Sequence, residues 1–335
     1  MKKKLVCIIS IVLIASCNQN PDNVITRIYL EPSVVIEELR DSTYFRGISH
    51  MFYDHCIYAS DDINGRILQL DLDLNLLSTI GTKGQGPGEF FRTGSLAVWK
   101  DTVLAINMGG LTLNTYTTDG KYIDGHSFVD DPSLSLFNFC MDNEGFLYFT
   151  SHLDSFPVVK YDQKMNRLFG FGEWIEPENQ EFRLYLNNYL VHYFDDKILT
   201  LQLDAPIINL YGKDGQHLLK KELPALIFEK RLRFKQIEQA KDAANLRKIY
   251  GLFSSLTSID NKLYLLYVDH DYHNLPFSNK VVELIFEDND FFINKVYTLT
   301  HNGWFLSIVA TNDNRLIASN ASMQVNPALY VYPLK

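Results

Sequence analysis

Cysteine is scarce: four residues in a chain of 335. Two of them, Cys7 and Cys17, lie in the N-terminal leader segment. The other two, Cys56 and Cys140, fall in repeat units that are not neighbours, so a disulfide between them is out of reach and buried free thiols are expected. No CxxC or HxxxH spacing occurs, which argues against a bound metal, and no cofactor is called for. There is no GxSxG nucleophile motif. Cations are in deficit, with Lys and Arg numbering 31 against 40 Asp and Glu, a formal charge of −9. A nucleic-acid partner is thereby excluded, since the phosphate backbone needs basic surface. Helix signals are nearly missing; the only clear one is an insert at 225–251.

What the chain has in abundance is a recurring polar turn between two short apolar runs. Six copies read MFYDHCIYAS, AVWKDTVLAI, FCMDNEGFLYF, VHYFDDKILTL, TSIDNKLYLLY and VATNDNRLIAS. Their reference aspartates are Asp54, Asp101, Asp142, Asp195, Asp260 and Asp313, spaced 47, 41, 53, 65 and 53 residues apart. A second turn series runs in phase with it: LQLDLDLN, NTYTTDGK, VKYDQKMN, NLYGKDGQ and ELIFEDND. Asp, Asn and Gly suit tight β-connections because they tolerate unusual backbone angles and bond to their own turns. Each period therefore holds four strands, here called a to d, and such units are the blades of a β-propeller. The sixth unit ends before a strand d. We expect Ile25 to Leu30 to supply it, closing the ring and removing exposed sheet edges.

The first residues stand apart from the repeat. Lys2, Lys3 and Lys4 precede an apolar run, Leu5 to Ile14, that is too short to cross a bilayer and has the flanks of a secretory signal. It runs into Leu13-Ile14-Ala15-Ser16-Cys17, which resembles a bacterial lipobox. That resemblance implies removal of 1–16, acylation of Cys17, a polar tether over 17–24 and a propeller over 25–335. It makes the membrane a partner through lipid, and Asn18 implies the outer membrane. Several acyl chains on one residue anchor stably where one would be marginal. Loss of the three lysines moves the charge to −12.

The exit of the first unit carries Asn64-Gly65-Arg66-Ile67-Leu68-Gln69-Leu70-Asp71, then Leu77-Ser78-Thr79-Ile80-Gly81, then Gly84-Gln85-Gly86-Pro87-Gly88-Glu89-Phe90. This pattern resembles the NHL-type repeat and the six-bladed, TolB-like propeller lipoproteins of two-membrane bacteria. The glycines are not a phosphate cradle, because the loop leads to a strand rather than a helix and lacks a Lys-Ser pair. Gly84, Gly86 and Gly88 are expected to allow a compact crossover to the next inner strand. Glu89 would tie the loop by hydrogen bonds, and Phe90 would pack between blades.

In a propeller the a–b and c–d turns share one face, and the b–c and d–a connections share the other. All long excursions fall on the second face: 173–188, 225–251 and 269–279. Function favours variable loops on a rigid scaffold, so the candidate ligand-binding residues lie there. They are Asp61, Asp62, His152, Asp154, Asp204, Asp269, His270, Asp271, Tyr272, His273, His301 and Trp304. Aromatics with carboxylates suit a peptide or polysaccharide; a plain solvated loop remains the alternative. In the 225–251 insert, Phe234, Ile237, Ala240 and Ala244 lie at helical spacing, with basic residues around them. It can be read as a rim-packed helix or a partial lid.

The resemblance also brings enzymes into view. Six-bladed lactonases place carboxylates at the channel ends of their inner strands, and amidating lyases of the NHL class place histidines there. The inner strands here offer Ile48-Ser49-His50, Ser95-Leu96-Ala97, Asn138-Phe139-Cys140, Leu190-Val191-His192, Ser255-Leu256-Thr257 and Ser307-Ile308-Val309. They hold two histidines and no carboxylate. The sequence thus favours an envelope binding or protein-interaction module. A lyase or hydrolase at the channel mouth and an envelope assembly partner are the alternatives.

Overall fold

The computed structural model describes residues 25–39, 44–129, 134–151, 153–175, 187–229, 252–270, 276–300, 304–320 and 327–334. Two short strands come first among the described residues, β1 (Thr26–Leu30) and β2 (Val34–Ile36). Blade one is β3 (Ile48–Asp54), β4 (Cys56–Asp61), β5 (Arg66–Leu70) and β6 (Leu76–Ile80). The crossover pair β7 (Thr82–Lys83) and β8 (Glu89–Phe90) follows. Blade two is β9 (Thr93–Trp99), β10 (Thr102–Asn107), β11 (Thr112–Thr117) and β12 (Tyr122–Ser127). Blade three is β13 (Leu134–Met141), β14 (Leu147–Ser151), β15 (Val158–Tyr161) and β16 (Arg167–Phe171). Blade four is β17 (Tyr189–Phe194), β18 (Lys197–Gln202), β19 (Ile207–Tyr211) and β20 (His217–Glu222). Blade five is β21 (Phe253–Ile259), β22 (Lys262–His270), β23 (Pro276–Glu287) and β24 (Asp290–Leu299). Blade six is β25 (Phe305–Thr311), β26 (Arg315–Asn320) and β27 (Leu329–Pro333), with β2 as its fourth strand.

The blades read as near-continuous apolar runs because each sheet is covered on both faces. Successive side chains point to opposite faces, so neighbours in one strand serve different cores. Leu263 and Leu265 pack towards blade four, whereas Tyr264 and Leu266 pack towards blade six. Six separate apolar clusters result, one at each junction of the ring. The cluster of Ile57, Leu68, Val309 and Leu329 joins blade six to blade one. That contact makes the ring closed.

Ring closure follows a different route from the one expected. The segment Thr26–Leu30 does not complete blade six: it pairs in parallel with β24 of blade five, Thr26 opposite Lys295 and Leu30 opposite Leu299. Strand d of blade six is instead β2, antiparallel to β27 with Val34 opposite Val331. Strand length supplies the reason. β24 has ten residues, and its upper half leaves an unpaired edge long enough for β1. The chain then crosses at Glu31–Ser33, where the Thr300 hydroxyl donates to the Leu30 carbonyl at 2.9 Å. Two adjacent blades are thereby stapled by one N-terminal segment.

The turn face is built as the sequence implies. Asp195-Asp196 and Asp288-Asn289 both take positive φ, the two-residue hairpin geometry that Asp and Asn accept most readily. Asp142 Oδ1 accepts from the Glu144 and Phe146 amides at 3.0 and 2.9 Å, and Asp162 does the same for Lys164 and Asn166. The recurring aspartates are thus turn-formers. Cys140 is buried, and Cys56 is half-buried rather than buried; both thiols are free. The 225–251 insert is described as far as Glu229, with a 3-10 turn over Ala225–Phe228. The helix expected beyond it lies outside the described residues.

Candidate functional site

The glycine-rich crossover was singled out first by sequence, and its parts are tightly engaged. Glu89 Oε2 accepts from the Gly86 amide at 2.7 Å, and the Gly84 amide donates to the Phe90 carbonyl at 3.0 Å. A Cβ at Gly84 would stand 2.0 Å from Glu89 Oε2. Gly88 has φ +72°, which only glycine adopts without strain, and Pro87 precedes it on the exposed side. Phe90 is fully buried against Tyr116, ring centres 5.5 Å apart, between blades one and two. Loop and core are therefore one unit.

The carboxylates of the long-loop face have partners close at hand. Asp61 is fully buried; its oxygens accept from Arg66 Nε at 2.9 Å, Asn64 Nδ2 at 2.8 Å and the Arg46 amide at 3.0 Å. Asp62 forms a two-bond ion pair with Arg92, which ties the b–c turn of blade one to the entry of blade two. Asp154 pairs with Arg167 at 2.7 Å, and Asp269 with Lys280 at 2.6 Å. Asp204 is half-buried in the b–c loop of blade four. Trp304 is half-buried and bridges in parallel to Ser278. His270 ends β22 opposite Pro276. His152, Asp271, Tyr272, His273 and His301 lie outside the described residues. The four ion-paired carboxylates are thus spread over blades one, three and five, each with its own cation. Among the described residues, no group of three or more His, Cys, Asp or Glu side chains is placed to share a metal ion.

A central channel of about 230 Å³ runs between the six inner strands. Each inner strand has a free edge, whose buried amides need partners. Side chains of the preceding blade provide several. Asn138 Oδ1 accepts from the Val191 amide at 2.6 Å, Ser255 Oγ from Ile308 at 3.2 Å, and Thr257 Oγ1 from Ala310 at 3.4 Å. Ser307 Oγ accepts from the Met51 amide at 3.0 Å, across the closure. A second set donates: Ser60 to the Gly94 carbonyl at 2.7 Å and Ser319 to the Ile48 carbonyl at 2.8 Å. His192 Nε2 meets Ser258 Oγ at 2.7 Å. Most channel polarity is therefore spent on holding blades together, a role sequence reasoning missed. The signal was available: the Asn138–Val191 and Ser255–Ile308 pairs are 53 residues apart, the same interval as between the turn aspartates of those blades.

Both channel histidines are neutral. Protein surrounds the rings although they touch open channel space, and this desolvation pulls each pKa down to about 4. At His50 the field of Asp62 opposes the shift and loses. Each neutral imidazole can donate one hydrogen bond and accept another.

Exposed apolar side chains sort by face. None of the large ones among the described residues lies in an a–b or c–d turn. They occupy the outer strands or the long-loop face, where Tyr44, Ile63, Phe91, Leu111, Val129, Leu153, Phe156, Ile175 and Leu226 protrude from successive connections. Leu153 and Leu226 are each 69% exposed.

No protein-family model and no curated protein matches this sequence. Solved structures do. A protein of Bacteroides fragilis NCTC 9343, named as an inferred exported protein, is 14% identical over 92% of this chain and 100% of its own, with a TM-score of 0.60. A duf4221 family member from Bacteroides vulgatus ATCC 8482 is 10% identical over 91% of this chain and 97% of its own, TM-score 0.55. Virginiamycin B lyase of Staphylococcus aureus is 10% identical over 86% and 95%, TM-score 0.50. At these identities the likeness is one of fold.

Proposed function

We propose that this protein is a cell-envelope lipoprotein, acylated on Cys17, that recognises a protein or peptide partner with the long-loop face of its propeller. The carrying observation is that, among the described residues, large exposed apolar side chains protrude from the long-loop face and from outer strands but from none of the opposite face's turns, while Asp61, Asp62, Asp154 and Asp269 are ion-paired. Contiguous exposed apolar surface marks interaction sites. Carboxylates that already hold a cation are not left as unpaired charges when a partner covers the face, which is the costlier case. Strand β1 runs parallel to β24 and so travels from the turn face towards the long-loop face. This direction supports an anchored end on the turn-face side and a long-loop face turned away from the bilayer, which favours a partner over the anchoring membrane as occupant. The outer membrane as location rests on Asn18, and the kinship with TolB-like lipoproteins on the lipobox and the Gly84–Phe90 loop.

The test is co-purification from crosslinked native envelopes. Phe91→Ser, Leu153→Ser and Phe156→Ser combined should abolish a specific partner band while the melting temperature of the purified domain changes little. A partner band that survives all three substitutions contradicts the assignment of the face.

A further inference from the structure

We infer that a groove on the long-loop face of blade one receives two neighbouring carboxylates of an acidic peptide segment, with Arg46 and Lys83 as the cations that take them. The inference rests on the partner reading above and names the chemistry of the partner at that face.

The groove has a volume of about 540 Å³ and is open to solvent. Tyr44 and Arg46 border it ahead of β3, Asn64 and Arg66 come from the b–c connection, and Gly81 and Lys83 from the crossover behind β6. Three cations thus meet in one groove of a chain whose formal charge is −9. The carboxylates around them are already engaged. Asp61 is sealed beneath Arg66, Asp62 is held by Arg92, and Glu38 bonds the Tyr44 hydroxyl. Arg46 gives its backbone amide to Asp61, yet among the described residues its guanidinium has no hydrogen bond or ion pair. Lys83 donates to carbonyl oxygens only, those of Ile63 at 2.9 Å and of Phe91. Two positive charges are therefore left without a counter-charge. Residues 40–43 add one arginine and one aspartate, which leaves that count unchanged.

Two of the three cations are held in place. Lys83 lies across the b–c connection because position 65 has no side chain. A Cβ on Gly65, at φ +61°, would stand 2.5 Å from the Phe90 carbonyl oxygen and 2.8 Å from Lys83 Cδ. Arg66 is fixed by Asp61 Oδ2 at 2.9 Å and by the Tyr44 carbonyl at 2.7 Å. With two of its ammonium hydrogens committed, Lys83 keeps one for a ligand, and the Arg46 guanidinium keeps its whole fork. That planar fork matches a carboxylate with two parallel hydrogen bonds. A donor already fixed in position loses less freedom on binding than a mobile one. The Asn64-Gly65-Arg66 and Gly81 elements of the sequence pattern thus shape a surface as well as a turn.

The surroundings select a peptide over a free anion. Tyr44, Ile63 and Phe91 are exposed around the groove, and the Lys83 ammonium sits 5.1 Å from the centre of the Phe91 ring. Two carboxylates balance the two free cations, and a large apolar side chain beside them covers Phe91. A neutral segment would desolvate Arg46 and Lys83 without compensation, and a basic one would be repelled.

The experiment is calorimetric titration of the full chain in detergent with acetyl-Glu-Phe-Glu-amide and acetyl-Glu-Glu-Phe-amide, with their Gln and Lys counterparts, and with inorganic phosphate, up to about 20 mM. At least one acidic peptide should bind saturably, about tenfold or more tighter than its Gln and Lys counterparts and than phosphate. Its affinity should fall as salt rises from about 50 to about 500 mM. Arg46→Gln should weaken the acidic peptide about fivefold, as for one lost exposed charge pair. The same variant should leave the urea midpoint unchanged, because the Arg46 guanidinium has no partner among the described residues. A merely structural arginine would move the midpoint and not the affinity. No saturable binding by either acidic peptide, equal binding by the Gln or Lys peptides or by phosphate, or an Arg46→Gln variant with unchanged affinity would each overturn the groove's assignment. The crosslinked envelopes separate this inference from the partner reading. A partner band abolished by the Phe91, Leu153 and Phe156 substitutions should also fade in Arg46→Glu. A band lost in the first but unchanged in Arg46→Glu overturns the groove alone, and a band unchanged in both overturns the face as well.

Discussion

At the scale of single residues, the channel histidines make a prediction about acid. Each imidazole titrates near pH 6.5 when unfolded and near 4 when folded. Below pH 6.5 the unfolded chain therefore takes up protons that the native protein refuses, and stability falls until about pH 4, where the native rings also charge. The loss is up to about 3 kcal/mol per ring, less where channel water screens it. His192→Gln should flatten the fall of the urea midpoint between pH 6.5 and 4 relative to wild type. An identical slope in both proteins would mean that the ring is solvated. The carboxylates illustrate what a sequence conceals at this scale. Asp61 and Asp62 are adjacent and look alike, yet one is sealed beneath Arg66 and the other bonds outward to Arg92. Which cation each carboxylate meets depends on where Arg92, thirty residues downstream of Asp62, is brought by the fold.

At the scale of elements, the turns were the legible part. All six reference aspartates lie in hairpins joining strands a and b, because turn chemistry is local and Asp and Asn state it directly. Strand partnership at the edges was not legible. Thr26–Leu30 mixes polar and apolar residues and Val34–Ile36 is wholly apolar, and both are short runs that would serve as an outer strand by composition. The choice was made by the length of β24, which no local pattern announces. The observed pairing predicts unequal truncations. A chain beginning at Ser33 loses β1 and the burial of Leu30, and should fold with a deficit of about 2–4 kcal/mol. A chain beginning at Glu37 also loses β2, the fourth strand of blade six, and should melt without cooperativity or associate through the bared edge of β27. Urea denaturation with size-exclusion chromatography distinguishes the two. Equal behaviour of both chains would contradict the split of duties between β1 and β2.

At the scale of the whole molecule, the disc has two unlike faces on one rigid ring. One carries tight turns whose aspartates serve the backbone. The other carries longer connections, paired charges and protruding apolar side chains, and surrounds the mouth of the channel. The core beneath both faces was readable from the repeat; the asymmetry was not, because exposure depends on how neighbouring loops shield one another. The claim that this asymmetry exists for recognition is tested most directly by site-specific photocrosslinking in living cells. A photoreactive residue is placed at Leu153 on the long-loop face and, separately, at Asp119 or Asp260 on the turn face. A discrete crosslinked product from position 153 alone is the predicted result. A product from the turn-face positions, with none from 153, would contradict it.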